Sequence, residues 1–380
     1  NNSSSSNIGK LDIVWNVANA PSHGEIRSMA PIITENGVLF STYFYQSSSE
    51  VIHLYDKKTG SLKWSWSDWF VPTNVSVSKI VKGNKLIICD WRYTYVIDIN
   101  TGATVWKHAE TINNGEPRGW VIGDYIYRAI SDKIPDVSVT YLLRTQINNP
   151  KWDTVFTLRK ENGYSPSFES LNLWMNFSND SIILFQNRSG NFETNDGRID
   201  LYAYNLRTKN LLWKVNDIDK EGDSDVNAIY IHNNNCYFVG CTTLYAFNMT
   251  DGSKLWETKN AWGKLLFKNG NIYVKTRLDL FLCLNENSGT MLWKNEKSGA
   301  NPGKLEYYNN KIYCLTGEGL FCYSPTDGHT IFQYKSPNEF INSQKAQFPG
   351  SGDPGCPIDP VNNTMYIADT YYAMCIKIPK

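Results

Sequence analysis

An acidic stretch in the middle of the sequence has the residue types and spacing to bind a hard cation. Residues 217–225 read DIDKEGDSD, with Asp217, Asp219, Glu221 and Asp225 as oxygen donors and a glycine between the last two. Calcium prefers several carboxylate oxygens, and its loops use glycine for a sharp turn. Two interpretations stay open: a structural calcium site with these four ligands, or an acidic turn in solvent that holds no metal.

Tryptophans and arginines form a second candidate set, for recognition of a ligand or partner. These residue types dominate the energetics of protein interfaces. They fall near links between the predicted strands, on the face that carries the longest links, such as RKENGYSPSFES and NRSGNFETNDGRID. The alternative is that each packs against a neighbouring link as part of the framework. The predicted binding residues are Trp91, Arg92, Arg118, Trp120, Trp262 and Arg277.

The sequence contains no recognisable catalytic motif. Its five histidines are scattered, and it has no glycine-rich phosphate loop, serine nucleophile elbow or HExxH helix. The eight cysteines include no CxxC pair, so we interpret Cys283 and Cys322 as small packing residues and leave a disulfide between Cys236 and Cys241 open. We therefore expect a protein that is not an enzyme.

Charge and hydropathy exclude two modes of interaction. The 37 basic and 37 acidic residues balance, so the chain as a whole presents no field that would gather nucleic acid. It contains no run of 18 apolar residues, which excludes a membrane-spanning helix within it. The polar Ser/Asn composition of residues 1–9 predicts a flexible tether, followed by a single domain at residues 10–380.

An internal repeat indicates which elements hold the candidate residues. A thirteen-residue pattern recurs: a strand, an Asp or Asn, a Thr-Gly or Asp-Gly pair, and a second strand that ends on a large aromatic residue. The Asp or Asn side chain can accept backbone N–H bonds in the turn, where glycine supplies a positive φ. Successive aromatics lie 37 to 61 residues apart, a period typical of four-stranded propeller blades. They are Trp64, Trp106, Trp152, Trp213, Trp256, Trp293 and Phe332.

A second type of hairpin gives the number of blades. Eight segments, such as IVKGNKLII and LLFKNGNIYV, consist of two apolar runs around an Asn/Gly/Asp turn, which is a strong hairpin signal. The last of them is followed by only one more strand, whereas residues 10–15, KLDIVW, have the pattern of the missing one and end on Trp15. We therefore predict an all-β, eight-bladed β-propeller of four-stranded antiparallel blades, with the ring closed by the N-terminal strand completing the last blade.

The repeat resembles that of the pyrroloquinoline-quinone-like (PQQ-like) propellers over residues 10–380. Segments such as IHLYDKKTGSLKW and TYVIDINTGATVW carry the resemblance. The family includes quinone- and calcium-dependent dehydrogenases, which are longer chains, and some of them have two adjacent cysteines joined by a disulfide. This chain has no adjacent cysteines. It also includes non-enzymatic exported lipoproteins of the outer-membrane assembly-factor type, with eight blades and a similar length. The resemblance therefore implies the second group, and PQQ is not expected.

From this resemblance we expect a non-catalytic exported propeller that is a binding scaffold for a protein or cell-envelope component. It implies a place in the periplasm, outer membrane or cell surface, with membrane attachment only through a removed N-terminal lipid anchor. We expect a monomer with no cofactor, apart from the calcium left open above. A carbohydrate-binding propeller of a glycan-uptake system is the alternative, and a quinone-dependent dehydrogenase is favoured least.

Overall fold

The computed structural model describes most of the chain. Within the described residues the secondary structure consists of strands, and no helix there is long and apolar enough to cross a membrane. The described residues are 11–18, 24–25, 28–44, 49–68, 78–90, 92–109, 115–134, 137–176, 178–191, 196–220, 228–338, 347–348, 352–353 and 355–379.

The chain forms two compact units whose described residues contain eight antiparallel sheets, seven of four strands and one of four strands with a short fifth. One unit comprises Asn1–Ser76, Ile99–Ala103 and Gly263–Lys380, and the other comprises Val77–Asp98 and Thr104–Trp262. The sheets are the blades of an eight-bladed β-propeller. The fold class predicted from the repeat is confirmed.

The strands follow one another with short turns between them. The first part of the chain forms β1 (Ile13–Ala18), β2 (Gly24–Glu25), β3 (Ser28–Met29), β4 (Ile32–Ile33), β5 (Val38–Phe44), β6 (Ser49–Tyr55), β7 (Leu62–Trp66), β8 (Ser78–Lys82), β9 (Lys85–Cys89), β10 (Tyr93–Asp98), β11 (Thr104–Ala109), β12 (Gly115–Ile122), β13 (Tyr125–Ile134), β14 (Val137–Gln146), β15 (Asn149–Arg159), β16 (Ser165–Met175), β17 (Ser181–Asn191), β18 (Asp196–Asn205) and β19 (Asn210–Lys220). The remainder forms β20 (Ala228–His232), β21 (Asn235–Val239), β22 (Thr243–Asn248), β23 (Lys254–Lys259), β24 (Lys264–Lys268), β25 (Asn271–Lys275), β26 (Phe281–Asn285), β27 (Met291–Asn295), β28 (Pro302–Tyr308), β29 (Lys311–Thr316), β30 (Gly319–Tyr323), β31 (Thr330–Tyr334), β32 (Gly352–Asp353), β33 (Ile358–Asp359), β34 (Thr364–Ala368) and β35 (Tyr372–Lys377).

Blades 1 to 7 are each built from four successive strands. Blade 1 is β4–β7, with β2 as an additional neighbour of β5, and blades 2 to 7 run from β8–β11 to β28–β31. Blade 8 has the order β33-β34-β35-β1, so its outer strand comes from the other end of the sequence. Strands β3 and β32 form a separate parallel pair. Blades 2 to 5 lie in the second unit, and the other four lie in the first.

The pairing of β1 with β35 confirms that an N-terminal strand completes the last blade. The two strands are antiparallel, with Trp15 opposite Cys375. The Trp15 side chain is buried, and its ring centroid lies 6.0–6.2 Å from those of Phe40, Tyr55 and Tyr366. Aromatic rings at such separations attract one another beyond the burial of their area. β1 is therefore an integral part of the core of blades 8 and 1.

The repeated turn has the hydrogen bonds expected from its sequence. In blade 1, Oδ1 of Asp56 accepts bonds of 3.0 Å from the backbone N–H groups of Lys58 and Thr59. The N–H of Gly60 donates to the backbone oxygen of Asp56, and Gly60 has a φ of 70°. Asn248 in blade 5 accepts in the same way from the N–H two residues on. The turn is therefore fixed locally, by a side-chain acceptor and a glycine.

The terminal tryptophan of one blade packs on the turn of the next. The Trp64 indole N–H donates to the backbone oxygen of Ile99 at 2.7 Å, and its ring lies on Gly102, where a Cβ would be 2.7 Å from Cδ2. Trp213 makes the same contacts with Met249 and Gly252. Trp15, Trp106 and Trp293 donate to Lys57, Ile147 and Pro325. These tryptophans are framework residues that join one blade to the next.

The apolar core lies between adjacent blades. In the second unit, blades 3 and 4 share a cluster that includes Phe168, Phe185 and Tyr202. In the first unit, blades 7 and 8 share one that includes Tyr313 and Met374. Each blade therefore depends on its neighbours for burial of its apolar faces, as expected for a repeat architecture.

The eight cysteines are free thiols, and seven of them are buried. The disulfide that spacing left open, between Cys236 and Cys241, is not formed. Cys236 lies in β21 and Cys241 two residues after the strand ends, and five residues of extended chain span about 16 Å. A disulfide requires Cα atoms closer than about 7 Å.

Candidate functional site

The structure places the predicted binding residues in different blades. Trp91 lies outside the described residues, and for Arg118 only the backbone, in β12, is described. Arg92 is exposed, and its N–H donates to Oδ1 of Asp90 at 2.7 Å. Trp120 is half-buried in β12, against the core of blades 3 and 4. A role for these four residues in binding stays a prediction.

Of the last two predicted binding residues, one follows blade 5 and the other lies within blade 6. Trp262 is half-buried in the link that follows β23. Arg277 is half-buried in the first unit, after β25, and its backbone oxygen accepts a 3.0 Å bond from the N–H of Asn301. Both residues are partly packed, and their role in binding likewise stays a prediction.

The acidic stretch begins in a strand rather than in a loop. Asp217 and Asp219 belong to β19, and Asp217 is exposed at a φ of 49°. Oδ2 of Asp219 accepts a 2.8 Å bond from the N–H of Cys241. Glu221 and Asp225 lie outside the described residues. Among the described residues, no group of three or more His, Cys, Asp or Glu is arranged to hold a metal ion, and the calcium site stays a prediction.

We expect millimolar calcium to change the Tm by no more than about one degree, because a metal raises the Tm only if the folded state binds it. The Asp219 carboxylate already has a backbone donor, and Asp217 is exposed to solvent. Thermal denaturation with calcium, with magnesium and with a chelator is the measurement. A saturable rise that is specific for calcium and is lost in Asp217→Asn would instead establish the site.

Blades 3 and 4 extend beyond the other blades of the second unit. β15 continues for seven residues after Trp152, and β19 continues for seven after Trp213. In the flanking blades, β11 and β23 continue for only three residues after Trp106 and Trp256. Four additional residues at about 3.3 Å each lengthen these strands by about 13 Å. The two blades therefore project on the side that carries the links between blades.

Two stretches predicted as links are strands for most of their length, and that prediction was wrong. RKENGYSPSFES contributes residues 165–170 to β16, and NRSGNFETNDGRID contributes to both β17 and β18. Their Gly, Pro and Asn content indicated links. In the structure Pro166 and Phe168 are buried and alternate with half-buried serines, which is the periodicity of a strand.

A cavity of about 340 Å³ lies between the projecting parts of blades 3 and 4. Blade 3 lines it with the end of β15, from Phe156 to Arg159, and blade 4 lines it with Asn187, Ser189 and Arg198. Volumes of a few hundred Å³ are typical of small-ligand sites. Both walls belong to the second unit, and we call this feature the blade 3–4 pocket.

Arg198 is the central side chain of the blade 3–4 pocket. Its Cζ lies 4.5 Å from the centroid of the Tyr164 ring, and its Nε donates to Oγ of Ser189 at 3.3 Å. The Tyr164 hydroxyl donates to Oδ2 of Asp196 at 2.7 Å, and this bond raises the pKa of Tyr164. The guanidinium is therefore held by stacking and by one neutral acceptor, and carboxylate oxygens of Glu161 and Asp200 lie 3.8 and 3.9 Å from it.

An ion pair lies beside the pocket. Asp200 is almost completely buried, with Oδ2 at 3.4 Å from Nζ of Lys214 and Oδ1 accepting a bond from the Asp217 N–H. Nζ of Lys214 is also 4.9 Å from the centroid of the Tyr202 ring. Burial opposes the charge of Lys214, but its contacts with Tyr202 and Asp200 raise its pKa. Oδ2 of Asp200 also lies 3.9 Å from Nε of Arg198, so this one carboxylate is shared by two cations, and the closer of them is Lys214.

The residues of the blade 3–4 pocket are not among the binding residues predicted from the sequence. Arg198 and Tyr164 occur in the two stretches that were interpreted as links. One signal was available: the 61 residues between Trp152 and Trp213 form the longest step of the repeat, which indicates additional length in blade 4 or its links.

Comparison with known proteins supports the fold and the resemblance. The family model described as outer membrane protein assembly factor BamB, of the PQQ-like repeat type, matches residues 240–348. No curated protein matches the chain in sequence. Among solved structures, BamB from Moraxella catarrhalis is similar with a TM-score of 0.59 and 14% identity, covering 97% of this chain and 100% of that one. The predicted resemblance is confirmed.

Other solved structures show how widely this fold is used. A europium-containing methanol dehydrogenase has a TM-score of 0.65 at 11% identity, with 96% of this chain and 86% of that chain covered. The computationally designed Ika8 protein has a TM-score of 0.63 at 12% identity, with 97% and 100% covered. At such identities the likeness shows the fold alone. An assembly factor, a dehydrogenase and a designed protein share it, so function must be argued from the site.

Proposed function

We propose that this protein is a non-catalytic, exported β-propeller that binds a protein of the cell envelope through the projecting parts of blades 3 and 4. The observation that carries the proposal is the extension of β15 and β19 beyond the strands of blades 2 and 5. Ordered strand that extends past the ends of the flanking blades offers additional surface for another molecule. The match to the assembly-factor family supports a protein of the envelope as that molecule.

The chemistry of the projecting surface suits a protein partner. Arg159, Lys160 and Glu161 are exposed, next to the stacked pair of Tyr164 and Arg198. Tyrosine and arginine are enriched among the residues that contribute most to protein interfaces. Because the surface is built on paired strands, a partner would not have to order it on binding, which favours affinity.

The other two functions lack an observation of this kind. The dehydrogenase alternative has the shared fold in its favour, but the chain has no adjacent cysteines and no recognisable catalytic motif. The glycan alternative requires open aromatic faces. In the blade 3–4 pocket, the Tyr202 ring is stacked on Phe185 and the Tyr164 ring is covered by Arg198.

Site-specific crosslinking tests the proposed surface. In one variant a photoreactive amino acid replaces Lys160, on the projecting part of blade 3. In the other it replaces Thr208, in the turn between β18 and β19 at the opposite end of blade 4. Both positions are exposed, which makes them a matched pair. In intact cells we expect the Lys160 position to crosslink to one envelope protein and the Thr208 position to give no such product.

The crosslinked partner, once identified by mass spectrometry, should bind the purified protein directly. Equal crosslinking from both positions, or none from either, would contradict the proposed surface. Dye-linked alcohol oxidation on addition of PQQ and calcium would contradict a non-catalytic role, and saturable binding on a glycan array would favour the carbohydrate alternative. Fractionation of cells tests the proposed place in the periplasm or outer membrane and the lipid anchor.

A further inference from the structure

The blade 3–4 pocket is lined by more positive than negative charge. Its cationic side chains are Arg159, Lys160 and Arg198, and its anionic one is Glu161. Arg159 and Lys160 are exposed and make no ion pair with any described residue. In a chain with no net charge, this is a local excess, and a local field of this sign favours an anionic ligand.

The Arg198 guanidinium has capacity for a further acceptor. Its Nε donates to Ser189, but its nearest carboxylate oxygens, on Glu161 and Asp200, are at 3.8 and 3.9 Å, beyond hydrogen-bond distance. Glu161 is largely exposed, so its pairing with Arg198 is screened by water. A planar guanidinium matches the geometry of a carboxylate and can donate two parallel bonds to it.

The pocket walls are ordered by buried contacts. Oγ1 of Thr140 in blade 3 donates to the backbone oxygen of Pro166 in blade 4 at 2.8 Å, which ties the two blades together. Asn187 is buried, and its Oδ1 accepts a bond from the N–H of Ser167. Phe156 packs against Phe185 beneath these groups, with ring centroids 5.0 Å apart. The pocket is therefore formed in advance of binding, which reduces the entropy that a ligand must overcome.

We infer that the blade 3–4 pocket binds the carboxylate of an Asp or Glu side chain from the partner protein, with Arg198 as its main donor and Arg159 and Lys160 at the mouth. This inference rests on the proposed function and adds the chemistry of the partner segment. The cavity of about 340 Å³ is large enough for one acidic side chain with its backbone, but not for a folded element.

Short capped peptides test the inference without the natural partner. The probe is N-acetyl-Gly-Glu-Gly-amide, titrated into the full-length protein at low ionic strength and followed by NMR or calorimetry. The matched controls are the same peptide with Gln in place of Glu, and free succinate. We expect millimolar binding of the Glu peptide, weakened by salt, and at least about tenfold weaker binding of the Gln peptide, because charge-assisted bonds are the stronger ones.

Two arginine variants of blade 4 locate the binding. Arg198→Gln should weaken binding of the Glu peptide about tenfold. Arg198→Lys should recover only part of the lost affinity, because it keeps the charge without the planar guanidinium. Arg207→Gln is the control, because Arg207 lies at the other end of blade 4, where its Nη2 donates to Asp180 at 3.0 Å. Its effect on peptide binding should be less than about twofold, because Arg207 lies outside the pocket and its charge is paired with that of Asp180.

Three results would overturn the inference: equal binding of the Glu and Gln peptides, equal losses in Arg198→Gln and Arg207→Gln, or succinate binding as tightly as the peptide. The last would assign the pocket to a free organic acid instead of a protein side chain. The circular dichroism spectrum and Tm of each variant show whether it is folded. Crosslinking from Lys160 is independent of the peptide assay, so its persistence in Arg198→Gln would leave the proposed function standing.

Discussion

Deletion of residues 1–17 is expected to remove most of the stability of the folded protein. The deletion takes away all of β1 but its last residue and, with it, the Trp15 ring and the Trp15 bond to the Lys57 backbone oxygen. Loss of one buried tryptophan alone costs about 3–5 kcal/mol, and whole domains are stable by only about 5–15 kcal/mol. The uncovered edge of β35 would add unpaired backbone groups and a site for aggregation. We expect a Tm lower by more than about ten degrees, or no cooperative transition.

A shorter deletion is the control for this result. Removal of residues 1–9 leaves β1 and every described contact of Trp15 in place, so its Tm should equal that of the full chain within about one degree. Trp15→Ala removes the ring but keeps the strand, so its Tm should lie between those of the two deletion variants. If the protein without residues 1–17 unfolds at the same temperature as the full chain, β1 does not hold blade 8 together.

Gly102→Ala is expected to destabilise the protein clearly more than Gly270→Ala, although the two glycines have the same φ of 73°. The left-handed backbone costs alanine about 1–2 kcal/mol at either position. At Gly270 no atom lies within 4 Å of a new Cβ, whereas at Gly102 the Cβ would be 2.7 Å from Cδ2 of Trp64. Displacement of that ring also breaks its bond to the Ile99 backbone oxygen. Forced overpacking of this kind adds about 1–3 kcal/mol.

Urea denaturation followed by circular dichroism measures the difference between the two variants. Both should have the same m-value, and the midpoint of Gly102→Ala should lie lower. Gly252→Ala is a second test in the other unit, because a Cβ there would be 2.7 Å from Cε3 of Trp213 at a φ of 71°. Equal midpoints for Gly102→Ala and Gly270→Ala would show that the contact between tryptophan and glycine contributes nothing beyond backbone strain.

Most of the fold could be predicted because the turns of each blade have a recognisable local sequence pattern. The turn at Asp56 depends on residues no more than five positions apart, and an Asp or Asn with a following glycine is enough to identify it. A large aromatic residue also recurs at the position of Trp64 in the pattern, because each blade must cover the turn of the next. Seven copies of this pattern and eight copies of the other hairpin therefore indicated the number of blades without knowledge of any long-range contact.

The candidate site could not be predicted in the same way. The pocket depends on the pairing of Ser189 with Arg198 and on a contact between blades through Thr140 and Pro166, which no local pattern encodes. The prolines and glycines of the projecting strands are typical of links. Burial at alternate positions at the start of β16 identifies this segment as a strand instead. Trp and Arg composition alone pointed instead to residues such as Trp120, which is packed against the core.

The pairing of β1 with β35 also has a consequence for the order of events during synthesis. Ile13 is made early but pairs with Ile376, almost the whole printed sequence later. Until β35 has left the ribosome, β1 lacks the strand with which it pairs, and its unpaired edge is exposed to chaperones or to other nascent chains. Joining such distant segments is slow, because chain entropy opposes it until the last contact forms. Completion of blade 8 should therefore be the final and rate-limiting step of folding, and detachment of β1 the first step by which the folded protein is lost.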